Sequence, residues 1–248
     1  YIDAYTENGL NGTEITFKKV SVGATINVIL GAVLANGKTT IKNSAKEPDV
    51  VCFVDFLNKA GAKISGAGTD IIEIDGVKQL NSVEYTIVGD RIEAGTYMIA
   101  SIITDGDIVL SGLNFNKDVA SLIDILRHIG ADITDASENS IRIKRGNRAL
   151  KPANVITSPF PGFPTDLQPQ IMALLATIDG ESIIDETIFE NRFMHVAELN
   201  RMGANIEICP NNKALVNGKQ NCYFGANVMA SDLRAGAALM LAGLSANG

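Results

Sequence analysis

The sequence predicts an α/β (α+β) fold assembled from copies of one helix–strand–helix–strand–strand unit. Three observations lead there. The string Gly-Ala-X-Ile starts at Gly61, Gly130 and Gly203, spaced by 69 and 73 residues. A second marker, Gly37, Gly106, Gly180 and Gly248, steps by 69, 74 and 68 residues. Apolar residues at helical spacing precede the markers and β-branched runs follow them. A unit with one apolar helix face and one sheet face must pack against its siblings to bury both.

The opening "YIDAYTENGLNG" reads as strand and turn. In the first copy an apolar helix containing "VILGAVLA" (28–35) is expected to stop at Gly37, because glycine suits a helix C-terminus. The β-branched "KTTIKN" follows as a strand. A second helix opens with Pro48 in its first turn, where the missing N–H costs nothing. Val50, Phe53, Val54 and Leu57 then form one apolar stripe, which ends at Gly61. "AKISGAG" and "IIEID" complete the copy as two strands. The second copy repeats the stripe as Val119, Leu122, Ile123 and Leu126, each 69 residues later, and ends in "SIRIKR". The third runs through "ESIIDE" and "ANIEICP" to "ALVNG". The fourth, "SDLRAGAALMLAGLSANG", holds only a first helix, so the chain is expected to be a fragment.

The 248 residues, 46% hydrophobic and 20% charged, allow one large core or two ordinary ones. A net charge of −7, no Trp and few aromatics argue against a nucleic-acid partner. The longest apolar runs are far too short to span a bilayer. Cys52, Cys209 and Cys222 show no metal-ligand spacing. They read as free thiols in reducing cytosol, with Cys52 a buried, inert member of its helix, and no metal or cofactor is expected. "SGAGTD" (65–70) has no helix after it and fails as a dinucleotide site.

Where the copies disagree, something other than core packing is at work. Eleven residues before the Gly-Ala-X-Ile glycine stand Val50, Val119 and Arg192. Arg192 is expected in a first helical turn, where the helix dipole disfavours a cation by roughly 0.3–1 kcal/mol. Two readings stand: a surface Arg after a slip in register, or a cation aimed at a bound anion. His195 takes the slot of Phe53 and Leu122 and reads as a packed core histidine. Fourteen residues before the second marker stand Gly23, Ile92, Asp166 and Arg234, at four helix mouths. Unpaired N–H groups there hold anions. Lys18, Lys19, Ser21, Asp90, Arg91, Asp232 and Arg234 cluster around them, as either an anion site or local charge balance. In "FPTDLQPQ", Thr165 and Gln168 fit a capping box. Asp166 is then not needed as a cap, and an ionised carboxylate there can take a hydrogen bond or a proton from a sugar hydroxyl.

The stretches "KVSVGATINV", "AKEPDVV", "GDRIEAGTYM", "FPTDLQPQ", "ETIFENRFMHVAELNRMGA" and "SDLRAGAA" resemble the UDP-N-acetylglucosamine 1-carboxyvinyltransferases, over essentially the whole chain. The resemblance implies two domains of repeated β-α-β-α-β-β units with substrates between them, here residues 1–89 and 90–248, both incomplete. It implies transfer of the enolpyruvyl group of phosphoenolpyruvate to the sugar 3′-hydroxyl of UDP-N-acetylglucosamine, releasing phosphate, in cytoplasmic peptidoglycan synthesis. By the same resemblance Asp166 is the general base. Arg192, Asp232 and Arg234 lie near the phosphoenolpyruvate. Lys19, Ser21, Val22 and Gly23 hold the uridine diphosphate, and Glu47, Asp90, Thr165, Ile188 and Phe189 also line the substrate site. The family's reactive cysteine falls ahead of Tyr1, so none of the three cysteines inherits its role and the chain alone is expected to be inactive. A monomer is expected for the full-length protein, with association of the incomplete chain through exposed apolar surface. The shikimate-pathway enolpyruvyl transferases, and a non-catalytic repeat scaffold, are the alternatives.

Overall fold

Ile72 and Ile74 are wholly buried while Ile71, Glu73 and Asp75 face outward. This period-two alternation makes the segment a strand with one face on a core. In the computed structural model, which describes Asp3 and residues 5–248, the same logic recurs along two compact units, Tyr1–Val88 and Gly89–Gly248. The expected first strand falls partly on positions 1, 2 and 4, which lie outside the described residues, and residues 5–10 form none.

The first unit runs β1 (Glu14–Thr16), α1 (Val22–Ala32), β2 (Lys38–Lys42), α2 (Pro48–Lys59), β3 (Lys63–Ser65) and β4 (Ile71–Asp75). Its sheet has the order β1-β2-β4-β3, with β1 parallel to β2 and the other neighbours antiparallel. Val50, Val54 and Leu57 of α2 bury against Ile29, Ile41, Ile72 and Ile74. The helical stripe and the strand face thus share one core.

The second unit begins with α3 (Arg91–Ile103), β5 (Asp107–Ser111), α4 (Phe115–Asp118), α5 (Ala120–Ile129), β6 (Asp132–Ser137) and β7 (Ser140–Lys144). It continues with β8 (Val155–Ile156), a 3-10 turn (Thr165–Leu167), α6 (Gln168–Leu175), β9 (Gly180–Asp185), α7 (His195–Arg201), β10 (Ile206–Cys209), β11 (Lys213–Gly218) and α8 (Leu233–Leu244). The sheets are ordered β5-β7-β6 and β10-β11-β9-β8. In all three sheets the last strand of a copy lies between its two predecessors. Helices α3, α6 and α8, the first helices of successive copies, pack on one another. Every residue of α6 is buried, as an apolar helix enclosed on all sides must be.

Gly61, Gly130 and Gly203 all sit at positive φ just past their helices. The following residues, Ala62, Ala131 and Ala204, donate back to Leu57, Leu126 and Leu199 carbonyls, closing each helix. The second marker behaves differently from the expectation. Helices α1, α3, α6 and α8 end at Ala32, Ile103, Leu175 and Leu244, several residues short of their glycines. Gly37 and Gly180, at φ +90 and +121, turn the chain from the helix into the next strand instead, and Gly248 also has a positive φ of +105. The helices stop earlier because each tail already turns ahead of the glycine, as Ala35 N–H does in returning to the Ala32 carbonyl. Cys52 is also only partly buried, its Sγ lying 3.4 Å from the Tyr85 hydroxyl, although all three cysteines are free. The stripe faces the core at Val50 and Val54, and Cys52 lies off that face.

His195 is packed in the core, 1% exposed, with Nε2 3.2 Å from Met172 Sδ. Burial pushes its pKa down to about 4, against the pull of the Asp232 charge. The imidazole's contribution is therefore complete above its unfolded value near 6.5 and is lost as the pH falls toward 4, because the unfolded chain takes the proton first. Urea unfolding should show the stability difference between wild type and His195→Leu moving in favour of the variant by roughly 3 kcal/mol from pH 7 to pH 4. A pH-independent difference would mean the imidazole titrates in the fold as it does in the unfolded chain.

Candidate functional site

The mouth of α6 is held from below. Leu167, the last residue of the 3-10 turn, is wholly buried. It packs so closely on α3 that a Cβ at Gly95 would come within 2.5 Å of its Cδ1. That anchor leaves the preceding Asp166 at the surface of the unit, with its side chain 38% exposed.

Two guanidinium groups converge on this carboxylate. Arg192, from the segment between β9 and α7, pairs its Nη2 with Asp166 Oδ1 at 2.6 Å. Arg234, in the first turn of α8, reaches Oδ2 at 3.1 Å. Three separate parts of the unit thus meet at one carboxylate. Burial tends to raise the Asp166 pKa, but the Arg192 hydrogen bond and the Arg234 charge outweigh it and hold the group below the ordinary carboxylate range. Asp166 is ionised at neutral pH.

Thr165 does not cap the helix. The N-terminal cap positions of the 3-10 turn and of α6 are Pro164 and Leu167, neither with a side-chain cap, and among the described residues neither polar atom of the buried Gln168 side chain has a partner. The 3-10 turn places Thr165 inside the helical segment, and stronger charged partners take its hydroxyl. It accepts from Arg192 Nη1 at 2.8 Å and donates to Glu186 Oε2 at 2.9 Å. Arg192 also differs from expectation. Helix α7 begins only at His195, so Arg192 lies ahead of the first turn and is free of the dipole penalty. Its guanidinium stacks over the Phe189 ring, 5.0 Å from the centroid, a favourable cation–π contact.

Ile188 and Phe189 join the same cluster through their backbone N–H groups, which donate to Glu186 Oε1 at 2.9 and 3.1 Å. Asp232 caps α8, accepting from the N–H groups of Arg234 and Ala235 at 2.8 and 2.9 Å. The Ala235 bond above all keeps its pKa low. Asp90 caps α3 in the same way, with bonds to Ile92 and Glu93 N–H. Its hydrogen bonds run to its own helix and not to the Asp166 cluster.

In the first unit, Ser21 caps α1 through Ala24 N–H at 3.2 Å. Val22 and Gly23 open that helix, and Lys19 is exposed just before it. A Cβ on Gly23 would meet nothing within 4 Å, so no protein packing requires a glycine there. Glu47 is the cap residue of α2, 7% exposed, and its Oε2 has no hydrogen-bond partner among the described residues. Among the described residues no group of three or more His, Cys, Asp or Glu could hold a metal, and no helix is long and apolar enough to cross a membrane. Cys222 is a poor nucleophile, since burial pushes its pKa up to about 11.

Glu186 was not singled out in the sequence, yet it joins Thr165 to Ile188 and Phe189. The repeat offered a signal. Six residues past the second marker stand Asn43, Gly112 and Glu186, and the first two adopt positive φ. Only the third copy has a carboxylate where its siblings have turn residues.

A family model described as EPSP synthase (3-phosphoshikimate 1-carboxyvinyltransferase) matches residues 2–248. UDP-N-acetylglucosamine 1-carboxyvinyltransferase 2 of Carboxydothermus hydrogenoformans is 49% identical over 248 residues, all of this chain and 58% of that protein. UDP-N-acetylglucosamine 1-carboxyvinyltransferase 1 of Staphylococcus aureus (strain N315) is 50% identical over 247 residues, with the same coverage. The chain therefore spans about 58% of the length of these curated relatives. Among solved structures, the enolpyruvyl transferase NikO from Streptomyces tendae superposes with a TM-score of 0.80 at 27% identity, covering 91% of this chain and 53% of that one. An EPSP synthase from Acinetobacter baumannii, at 22% identity and TM-score 0.72 over 97% of this chain and 57% of that one, shares the fold.

The depressed pKa of Asp166 has a measurable consequence. Its ion pairs contribute fully above the unfolded value near 3.9 and are lost as the pH falls through the lower folded value. The stability difference between wild type and Asp166→Asn, followed by urea unfolding, should be constant above about pH 5 and shrink steadily below pH 4. A difference that grows on acidification would contradict the two-arginine geometry.

Proposed function

The chain belongs to the EPSP synthase family of carboxyvinyltransferases, and from that premise we propose that it serves transfer of the enolpyruvyl group of phosphoenolpyruvate to the 3′-hydroxyl of UDP-N-acetylglucosamine. The observation that carries the reading is the convergence of Arg192 and Arg234 on Asp166 at a rigid helix mouth. Such a site offers a general base beside two cations, which suits a hydroxyl nucleophile and a phosphorylated donor.

The reaction joins the hydroxyl oxygen to the enol carbon and breaks the bond from that carbon to the phosphate oxygen. The hydroxyl proton passes to Asp166, the phosphate departs with the electron pair of the broken bond, and the proton leaves with it in the net balance. Held by both arginines, Asp166 is a weak base. An anionic donor competes for Arg192 and Arg234, relaxes their grip and raises the basicity of Asp166 where the hydroxyl arrives. Arg192 and Arg234 then face the charge that develops on the leaving phosphate. Asp232 keeps Arg234 on its helix, and Ile188 and Phe189 present the sugar-nucleotide wall.

In the first unit, Lys19, Ser21, Val22 and Gly23 suit a diphosphate. The start of α1 turns backbone N–H groups outward, Lys19 adds a cation, and the open space over Gly23 admits a phosphate close to the backbone. Glu47 and Asp90 complete the proposed binding set. The reading extends to peptidoglycan precursor synthesis in the cytoplasm and to a monomeric full-length protein without a cofactor.

The shikimate-pathway acceptor is the second reading, favoured by the description of the family model. The sugar-nucleotide reading rests on the 49–50% identity to the UDP-N-acetylglucosamine enzymes. Phosphate release by the full-length gene product separates the two. Turnover is expected with UDP-N-acetylglucosamine and not with shikimate 3-phosphate. Asp166→Asn should lower kcat by roughly 10²–10⁴-fold, the usual worth of a positioned general base. Undiminished turnover by a folded Asp166→Asn would favour a non-catalytic scaffold role for this site.

A further inference from the structure

We propose that Glu186 is a positioning residue, whose buried carboxylate sets the Arg192 guanidinium against Asp166 from two directions at once. The inference rests on the carboxyvinyl-transfer reading and names a residue that reading does not use.

Glu186 follows β9 and is 1% exposed. Oε1 accepts from Thr157 Oγ1 at 3.0 Å and from the N–H groups of Ile188 and Phe189 at 2.9 and 3.1 Å. Oε2 accepts from Thr165 Oγ1 at 2.9 Å. Among the described residues no Lys or Arg pairs with it. A carboxylate buried without a cation is costly unless its lone pairs are filled, and here four donors fill them.

Both oxygens lead to Arg192. A threonine hydroxyl rotates freely until a strong acceptor takes its hydrogen. Oε2 takes it, so the lone pairs of Thr165 face Arg192 Nη1 at 2.8 Å while Nη2 engages Asp166 at 2.6 Å. Oε1 holds the backbone that carries the Phe189 ring, on which the same guanidinium stacks. An anchor needed only for chain reversal would not require a charge. The sibling copies turn the chain at this place with Asn43 and Gly112.

Glutamine divides the two routes. Three donors at the Oε1 position require its carbonyl oxygen there. Its NH₂ then faces Thr165 and donates where the hydroxyl has to donate. In the full-length gene product, Glu186→Gln should lower kcat by roughly ten- to a hundredfold. The KM for the sugar nucleotide should stay within about twofold, because the backbone at 188 and 189 is still held. Thr165→Val should give the same loss with Glu186 intact, and the double variant should lose no more than either single one. A Glu186→Gln enzyme with kcat within about twofold of wild type, or losses that multiply in the double variant, would overturn the proposal. Should wild type show no turnover with phosphoenolpyruvate and UDP-N-acetylglucosamine, the functional reading falls, and amide hydrogen exchange on this chain judges the positioning by itself. The Ile188 and Phe189 amides should be protected in wild type and Glu186→Gln and exposed in Glu186→Ala; protection that survives in Glu186→Ala would refute it.

Discussion

Helix α6 has no solvent face, and the second unit is organised around that constraint. Its residues Gln168 to Leu175 are all buried, packed by α3 and α8 and backed by β9 and β11. A helix enclosed on every side cannot rotate or slide without opening voids, and voids in a close-packed interior are expensive. Whatever stands at its mouth is therefore fixed in space. The 3-10 turn adds a second restraint, since Leu167 is wedged against Gly95 with no room for one more carbon.

Charge is assembled on that fixed point. Asp166 projects from the turn, Arg234 from the start of α8, and Arg192 from the segment ahead of α7. Helices α6 and α8, which pack on each other in the core, bring their mouths together at its edge, so core burial fixes the Asp166–Arg234 geometry. The carboxylate is strongly ion-paired and weakly basic as it stands.

Much of the fold was legible because repetition supplies an internal comparison. In the stripe Val50, Phe53, Val54, Leu57 all but the partly buried Phe53 are buried, its counterpart Val119, Leu122, Ile123, Leu126 is buried throughout, and the Gly-Ala-X-Ile glycines end their helices at positive φ. Asp166, Arg192 and Arg234 stood out because they broke the pattern at helix mouths. The details around them were not legible. Thr165 and Gln168 match a capping box, yet the helix begins with a tight turn, Thr165 pairs with Glu186 and Arg192, and Gln168 makes no capping bond. The repeat spacing puts Arg192 in a first helical turn, whereas α7 starts only at His195, because the third copy lengthens the segment before it. The second-marker glycines match no helix end, since the helices stop earlier, and Gly37 and Gly180 turn the chain into the following strand.

The sequence by itself determined the repeating unit, the apolar faces and the residue types at each helix mouth. These depend on spacing along the chain, and spacing is local. Tertiary structure alone decided which mouths meet, that two arginines share one carboxylate, and that Glu186 links Thr165 to Ile188 and Phe189. Those bonds join residues far apart in sequence, such as Arg234 and Asp166, 68 positions away from each other. Their partners follow from how sibling helices pack, and no periodicity within one copy contains that information.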